Sequence, residues 1–112
     1  MRYRKFSDLG WRVSEIGLGC WGIGGNWVDV SERGAREVLK KALDQGINFF
    51  DTADVYGNGR SEKFLGELIK STSEKIFVTT KSGQGLRPHT PGGYNLKNFV
   101  VFKFFINFKK IV

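Results

Sequence analysis

The sequence predicts an α/β fold in which a β-hairpin is followed by strands and helices in the order β-α-β-α-β. Three observations predict it: turn residues between two short apolar segments near the start, apolar residues at helical spacing in two later segments, and short apolar or β-branched runs between those segments. Strands that alternate with helices at this spacing form right-handed crossover units. We therefore expect a parallel sheet with the helices packed outside it.

Length and composition indicate one globular domain or less. The chain has 112 residues, of which 40% are apolar and 26% are charged, and these fractions exclude a disordered or collagen-like chain. A single cysteine excludes a disulfide scaffold. No apolar run approaches the roughly 18 residues that span a bilayer, and the N-terminal residues lack the apolar core of a secretory signal. The expected location is the cytoplasm.

The hairpin and a glycine-rich stretch come first. Tyr3 and Phe6 lie in one short segment, Trp11 and Val13 lie in another, and SDLG between them has residues that favour turns. EIGLGCWGIGGNW follows and contains five glycines within nine residues. This density indicates a strand that ends in a loop whose backbone approaches something closely, with a flexible turn as the alternative.

Two helices follow from the apolar periodicity. The first is capped by Ser31, has Glu32 at the positive end of its dipole and ends at Gly46 in the left-handed conformation. The second begins at Ser61, with Ser61 and Glu62 interpreted as helix-start residues, and ends near residues 71–73. Their predicted apolar faces consist of Ala35, Val38, Leu39, Ala42 and Leu43 in the first helix, and of Phe64, Leu65, Leu68 and Ile69 in the second.

Strands and loops account for the remaining segments. INFF at 47–50 and KIFVTTK at 75–81 are predicted strands, and DTADVYGNGR and SGQGLRPHTPGGYN are predicted loops because they are polar and contain glycine or proline. The last segment, NLKNFVVFKFFINFKKIV, fits both a helix and a strand.

Asp51, Tyr56 and Lys81 lie at or just beyond the carboxyl ends of predicted strands, which is where parallel α/β folds carry their sites. Period-two alternation puts Asp51 on one face of its strand and Lys81 on one face of the next strand, so neighbouring strands could bring the two together. A lysine beside a phenol favours the phenolate over its reference pKa of about 10, which makes Tyr56 a usable proton donor. An ordinary salt bridge beneath a loop tyrosine fits the same spacing.

IGLGCW, INFFDTADVYGNGRSEKFLGELI and KIFVTTK resemble the N-terminal third of the aldo-keto reductases, over about residues 3–98. The resemblance implies a TIM (β/α)8 barrel preceded by a hairpin. It also implies an NADPH-dependent oxidoreductase that reduces small aldehydes or ketones to alcohols.

The same resemblance implies a role for each site residue. Tyr56 would be the general acid that protonates the carbonyl oxygen, Lys81 would lower the pKa of that phenol, and Asp51 would pair with Lys81. Loop residues 82–95 would border the substrate pocket. The nicotinamide ribose of the NADP cofactor would be lined by Cys20, Trp21 and Asp51.

The chain departs from the family pattern in its length and its last segment. A closed barrel takes about 250 residues, whereas this chain of 112 residues holds a hairpin and about three units. We therefore expect an incomplete barrel in residues 1–98 and a divergent, basic, Phe-rich tail in residues 99–112, such as a shifted reading frame would produce. We expect the family's catalytic histidine to have no counterpart in this chain, since His89 does not occupy its position, and we expect the family's main phosphate-binding part to be missing.

Two functional hypotheses follow from these departures. The chain is expected to be a weakly active or inactive fragment of a reductase. The alternative is a non-catalytic chain that binds a partner through its apolar tail and open sheet edge.

Other classes of function have less support. The net charge is +7, but residues 1–81 carry 13 basic and 11 acidic side chains, whereas residues 82–112 carry five basic and no acidic ones. Four lysines in this segment are too few to contact the phosphates of a nucleic acid or of a membrane surface convincingly. We therefore expect binding to neither nucleic acid nor membranes. One Cys and one His give no zinc-type spacing, Asp54 is interpreted as a loop carboxylate, and no GxGxxG opens a helix.

Overall fold

The computed structural model describes residues 1–6, 8, 10–25 and 29–82. These residues form an antiparallel two-stranded hairpin and a parallel three-stranded sheet, so the predicted α/β fold with an N-terminal hairpin is confirmed. The predicted loop after Ser82 and the Phe-rich tail lie outside the described residues. In chain order the elements are β1 (Tyr3–Phe6), β2 (Trp11–Ser14), β3 (Leu18–Gly19), a 3-10 helix (Gly22–Gly24), α1 (Glu32–Asp44), β4 (Phe49–Asp51), α2 (Arg60–Ser71) and β5 (Phe77–Thr79).

The parallel sheet has the strand order β3-β4-β5, so each strand pairs with the next one along the chain. Asp51 lies opposite Gly19 on one side and opposite Thr79 on the other. The ladder continues past the strand ends, because the Cys20 N–H donates to the Asp51 carbonyl and the Thr52 N–H donates to the Thr79 carbonyl, both at 2.8 Å. The strands are shorter than predicted, and Asp51 is the last residue of β4 rather than the first residue after it.

The two helices cover one face of this sheet and form the core with it. Phe50 on the central strand is completely buried, and Phe64 of α2 is 1% exposed. Burying a side chain of this size contributes about 1.5–3 kcal/mol. The remaining buried apolar residues of the cluster are Cys20, Ile23, Ala35, Leu39, Ala42, Leu43, Leu65 and Leu68.

Helix α1 begins and ends as predicted. The Ser31 hydroxyl accepts a hydrogen bond from the Gly34 N–H at 3.1 Å, and Gly46 has a φ of +84° just after the helix. The prediction that Val38 belongs to the buried face is wrong, because Val38 is 48% exposed. It lies at the margin of the apolar stripe, where about half of its surface stays open to solvent. No helix among the described residues is long and apolar enough to cross a membrane.

The start of α2 differs from the prediction. The helix begins at Arg60, with Gly59 in the left-handed conformation at the capping position, so Ser61 is a residue of the first turn rather than the cap. Ser61 is completely buried, and its hydroxyl donates to the Cys20 carbonyl at 3.1 Å. The same hydroxyl lies 2.9 Å from that of Thr52. Ser61 thus joins α2 to the ends of β3 and β4 instead of satisfying helix amides.

The hairpin is held at the amino end of the parallel sheet by Asn48. The Asn48 side-chain oxygen accepts from the Ser14 N–H at 2.8 Å, and its amide nitrogen donates to the Arg12 carbonyl at 3.0 Å. In return, the Asn48 N–H donates to the Ser14 hydroxyl at 3.1 Å. The ring centroids of Trp11 and Phe77 lie 5.2 Å apart, which places part of the hairpin against the sheet face opposite the helices.

We predict that Asn48→Ala lowers the free energy of unfolding by about 1–3 kcal/mol, because it leaves the Ser14 N–H and the Arg12 carbonyl without their partner. Urea unfolding measures the change. Gln45→Ala replaces an exposed amide on the residue that caps α1 and is expected to stay within about 0.5 kcal/mol of the unsubstituted chain. Equal unfolding midpoints for the two variants would contradict the anchoring role of Asn48.

Candidate active site

An ion pair lies at the carboxyl end of the parallel sheet. The Lys81 Nζ donates to both carboxylate oxygens of Asp51 at 2.9 Å and to the Thr52 carbonyl at 3.1 Å. The predicted proximity of Asp51 and Lys81 is therefore confirmed. It arises because Asp51 ends β4, Lys81 follows β5 by two residues, and the parallel register brings both side chains to one face of the sheet.

Thr79 is a third member of this cluster that the sequence reasoning missed as a site residue. Its hydroxyl donates to the Asp51 Oδ1 at 3.0 Å. The alternation that places Lys81 on this face also places Thr79 there, so the signal was present in the sequence. With Thr79 and Lys81 both bound to it, the Asp51 carboxylate is held in one orientation.

Tyr56 lies in the loop between β4 and α2, beside the ion pair. The Lys81 Nζ is 5.2 Å from the centroid of the Tyr56 ring. The pKa of Lys81 is raised mainly by its hydrogen bond to Asp51, with smaller contributions from Tyr56. The structure thus brings together the three residues predicted to carry the chemistry: Asp51, Tyr56 and Lys81.

This ion pair is open to solvent, since the Lys81 and Asp51 side chains are 55% and 46% exposed. Exposed pairs contribute little to the stability of a fold. The consequence of the contact is therefore local: it keeps a positive charge next to a phenol.

The loop that carries Tyr56 contacts the glycine-rich loop after β3. Gly57, Asn58 and Gly59 all have positive φ, between +53° and +86°. A Cβ on Gly57 would lie 2.1 Å from the Gly24 carbonyl oxygen, which is shorter than any real contact. The predicted close backbone approach of the glycine-rich stretch is confirmed, and what it approaches is the Tyr56 loop.

Arg60 fastens the same two loops from the helix side. Its guanidinium donates to the carbonyls of Ile23 and Gly24 at 3.4 Å and to the carbonyl of Val30. It also stacks over the ring of Phe64, with its central carbon 5.2 Å from the ring centroid. One side chain thereby connects the start of α2 to the segment that follows β3.

Cys20 and Trp21, the residues predicted to line the cofactor, occupy different environments. Cys20 has no exposed surface, and burial, with a smaller effect of the Asp51 charge, raises the pKa of its thiol to about 12. Trp21 is 46% exposed at the end of β3. The Trp21 side chain is therefore half-exposed, whereas the Cys20 thiol lies in the core, where its Sγ contacts the Leu18 carbonyl at 3.5 Å.

A buried carboxylate lies behind the ion pair. Glu62 is 7% exposed, and its Oε1 accepts from the Thr80 hydroxyl at 2.6 Å. Burial raises the pKa of Glu62, the Thr80 hydrogen bond opposes that rise, and the charge of Asp54 adds to it. Asp54 is itself 1% exposed. Within the described parts of the chain, no three His, Cys, Asp or Glu residues are grouped as metal ligands would be.

Comparison with known proteins shows the family to which the chain belongs. The family model described as the aldo/keto reductase family matches residues 15–98. The chain belongs to the aldo-keto reductase family. That family is one of oxidoreductases, and the predicted resemblance is confirmed.

Individual proteins are also similar to this chain in sequence. The chain is 41% identical over 85 residues to the aldo-keto reductase YhdN of Bacillus subtilis, covering 73% of this chain and 26% of that protein. It is 38% identical over 91 residues to a probable voltage-gated potassium channel subunit beta of rice, Oryza sativa subsp. japonica, covering 76% of this chain and 27% of that protein. The chain thus spans about a quarter of the length of these two relatives.

Solved structures of the family show where the described elements belong. The holo form of the aldo-keto reductase AKR11C1 from Bacillus halodurans superposes with a TM-score of 0.64 at 33% identity, over 81% of this chain and 29% of that one. The aldo-keto reductases among these structures are TIM barrels. The described residues supply a hairpin and three neighbouring strands of such a barrel and do not close it.

We predict that Gly57→Ala lowers the free energy of unfolding by about 1–3 kcal/mol, because its Cβ would collide with the Gly24 carbonyl and its φ of +62° strains an L residue. Gly66→Ala is the matched control, since a Cβ on Gly66 meets nothing within 4 Å in the interior of α2. It is expected to stabilise the chain by about 0.5–1 kcal/mol. Urea unfolding that ranks Gly57→Ala at or above the unsubstituted chain would refute the loop contact.

We also predict that the difference in free energy of unfolding between the unsubstituted chain and the Glu62→Gln variant depends on pH. The unsubstituted chain loses stability relative to the variant as the pH rises. The pKa of Glu62 is raised in the folded chain, so this residue binds a proton more tightly when folded. The stability that Glu62 contributes is greatest at pH values below its ordinary pKa of about 4.5. This stability is lost as the pH rises through the pKa that Glu62 has in the folded chain. Urea midpoints from acid to neutral pH test this, with the exposed Glu74→Gln as control. A Glu62→Gln difference independent of pH would contradict it.

Proposed function

We propose that this chain carries the proton-donating part of an aldo-keto reductase site, in which a small aldehyde or ketone is reduced to an alcohol with NADPH. One observation carries the proposal: the Lys81 ammonium lies on both oxygens of Asp51 and 5.2 Å from the centre of the Tyr56 ring. Together with membership of an oxidoreductase family, this arrangement supports Tyr56 as the general acid.

In the proposed reaction the Tyr56 hydroxyl donates its proton to the carbonyl oxygen of the substrate. The positive charge of Lys81 stabilises the phenolate that remains, because an opposite charge at this distance favours the ionised form. Asp51 and the Thr52 carbonyl keep the ammonium in place, since each accepts one or more of its hydrogen bonds. Thr79 fixes Asp51 in turn.

The residues present fit the nicotinamide end of NADPH. Asp51 offers a half-exposed carboxylate that can accept hydrogen bonds from ribose hydroxyls, and Trp21 offers an exposed indole at the end of the neighbouring strand. We therefore propose Asp51 and Trp21 as the groups that would hold the nicotinamide ribose. A bound NADPH would supply the hydride for the carbonyl carbon. Cys20 would act from the core by supporting the position of Trp21, because its own thiol is buried.

We propose that the 112-residue chain by itself is a weakly active or inactive fragment of a reductase, located in the cytoplasm. Among the described residues, Trp11 of the hairpin covers the Asp51 face of the sheet at Phe77. The ion pair of Asp51 and Lys81 at the carboxyl end of the same face is about half exposed to solvent. Water on that face competes for the donors and screens the Lys81 charge, whereas enzymes of this kind depend on excluding water from the reacting atoms.

The test combines NADPH binding with reduction of an aromatic aldehyde by the purified chain. If the nicotinamide site of this chain is usable, NADPH fluorescence changes with micromolar affinity. We expect little or no aldehyde reduction, and Tyr56→Phe abolishes any that occurs because it removes the proton donor. Tyr3→Phe is the matched control, because Tyr3 lies in the hairpin and donates to the Gly46 carbonyl. No fluorescence change at millimolar NADPH, or reduction that survives Tyr56→Phe, would overturn the proposal.

A second candidate is a non-catalytic chain that binds a partner protein. It is favoured by the two outer strands of the parallel sheet, β3 and β5, each of which pairs on one side only within the described residues. One relative is named as a probable voltage-gated potassium channel subunit beta, so a similar protein is described as one subunit of an assembly. Failure of the chain to bind NADPH in the experiment above would favour this candidate over the reductase.

A further inference from the structure

We propose that Glu62 is a positioning residue that fixes Lys81 in place through Thr80. The inference rests on the proposed function, because Lys81 is the group whose charge acts on Tyr56. It assigns a role to a buried carboxylate that lies on the opposite side of the sheet from the reacting groups.

The geometry starts from the alternation of side chains after β5. Thr79 and Lys81 point toward Asp51, so Thr80 between them points to the opposite face, where α2 packs. There its hydroxyl donates to Glu62 at 2.6 Å. Glu62 is in the first turn of α2. The bond therefore fastens the residue next to Lys81 to a helix in the core.

This anchor is needed because Lys81 lies beyond the regular strand. Strand β5 ends at Thr79, and the backbone beyond it is held by the β4–α2 loop, whose Asp54 N–H donates to the Lys81 carbonyl at 3.1 Å. The Glu62–Thr80 bond is a second, side-chain tether on the same segment. Together the two tethers fix the backbone from which the Lys81 side chain extends.

The burial of Glu62 argues that the bond has a purpose beyond starting a helix. An exposed glutamate would serve the helix dipole equally well, whereas Glu62 is 7% exposed and has the buried Asp54 close enough for its charge to act on Glu62. Burying a carboxylate is costly unless it makes strong hydrogen bonds. The contact with Thr80 is such a bond, and its effect is directed at the end of β5.

Loss of the tether is expected to loosen the contacts of the ammonium. The Lys81 Nζ must reach both oxygens of Asp51 and the Thr52 carbonyl at once. A displacement of about 1 Å at a catalytic group is enough to reduce a rate strongly. Tyr56 would then face a lysine that is no longer held beside its ring.

The experiment follows the titration of Lys81 in the full chain labelled with ¹³C-lysine. The Lys81 signal is assigned as the Cε resonance that is present in the spectrum of the unsubstituted chain and missing from that of the Lys81→Arg variant. The pKa of Lys81 is raised by Asp51, so Asp51→Asn provides the value without that pairing. We expect Thr80→Val to shift the Lys81 titration to lower pH, toward the Asp51→Asn value, and Thr80→Ser to restore it.

Thr72→Val is the matched control, because the Thr72 hydroxyl accepts from the Glu74 N–H in a loop away from the site; it should leave Lys81 unchanged. An unchanged Lys81 titration in folded Thr80→Val overturns the proposal. If Thr80→Val does not fold, Thr80→Ala and Thr80→Ser are compared, since they differ by one hydroxyl, and equal titrations overturn it. None of these readouts uses NADPH, so failure of the reductase proposal is a separate result.

Discussion

The site of this protein depends on the parallel register of two short strands. Because β4 and β5 run in the same direction with Asp51 opposite Thr79, the residue two positions after Thr79 reaches the same sheet edge as Asp51. A shift of one residue would turn Lys81 to the helix side and leave Asp51 without its partner. The pairing of the strands therefore brings Asp51 and Lys81 together. The attraction between two exposed charges is too weak to fix the positions of the strands.

A second layer of polar contacts lies behind this edge. Ser61, Thr52 and Glu62 are buried between α2 and the sheet, where they connect the helix to the Cys20 carbonyl and to Thr80. Buried hydroxyls and carboxylates are costly unless they are bonded, and the described residues contain no buried side-chain N or O atom without a partner. This layer gives a solvent-exposed site a rigid base.

The loop between β4 and α2 combines two requirements in one segment. Its glycines allow the backbone to pass against the Gly24 carbonyl, and its remaining residues present Tyr56 toward Lys81. Arg60 closes the arrangement by bonding to the carbonyls of Ile23 and Gly24. The two loops are thus a single unit, so that the exposed Trp21 and the Tyr56 phenol keep a fixed relation to the sheet edge.

The sequence by itself determined the order of elements, the helix start at Ser31 and the meeting of Asp51 with Lys81, because these follow from local periodicity and from alternation along strands. It did not reveal that Gly59, and not Ser61, occupies the capping position of α2. It also did not reveal that Val38 is exposed or that Cys20 is buried. Those outcomes depend on which neighbouring element covers each side chain. Only the tertiary structure decided them, since burial and long-range hydrogen bonds join residues that lie far apart in the chain.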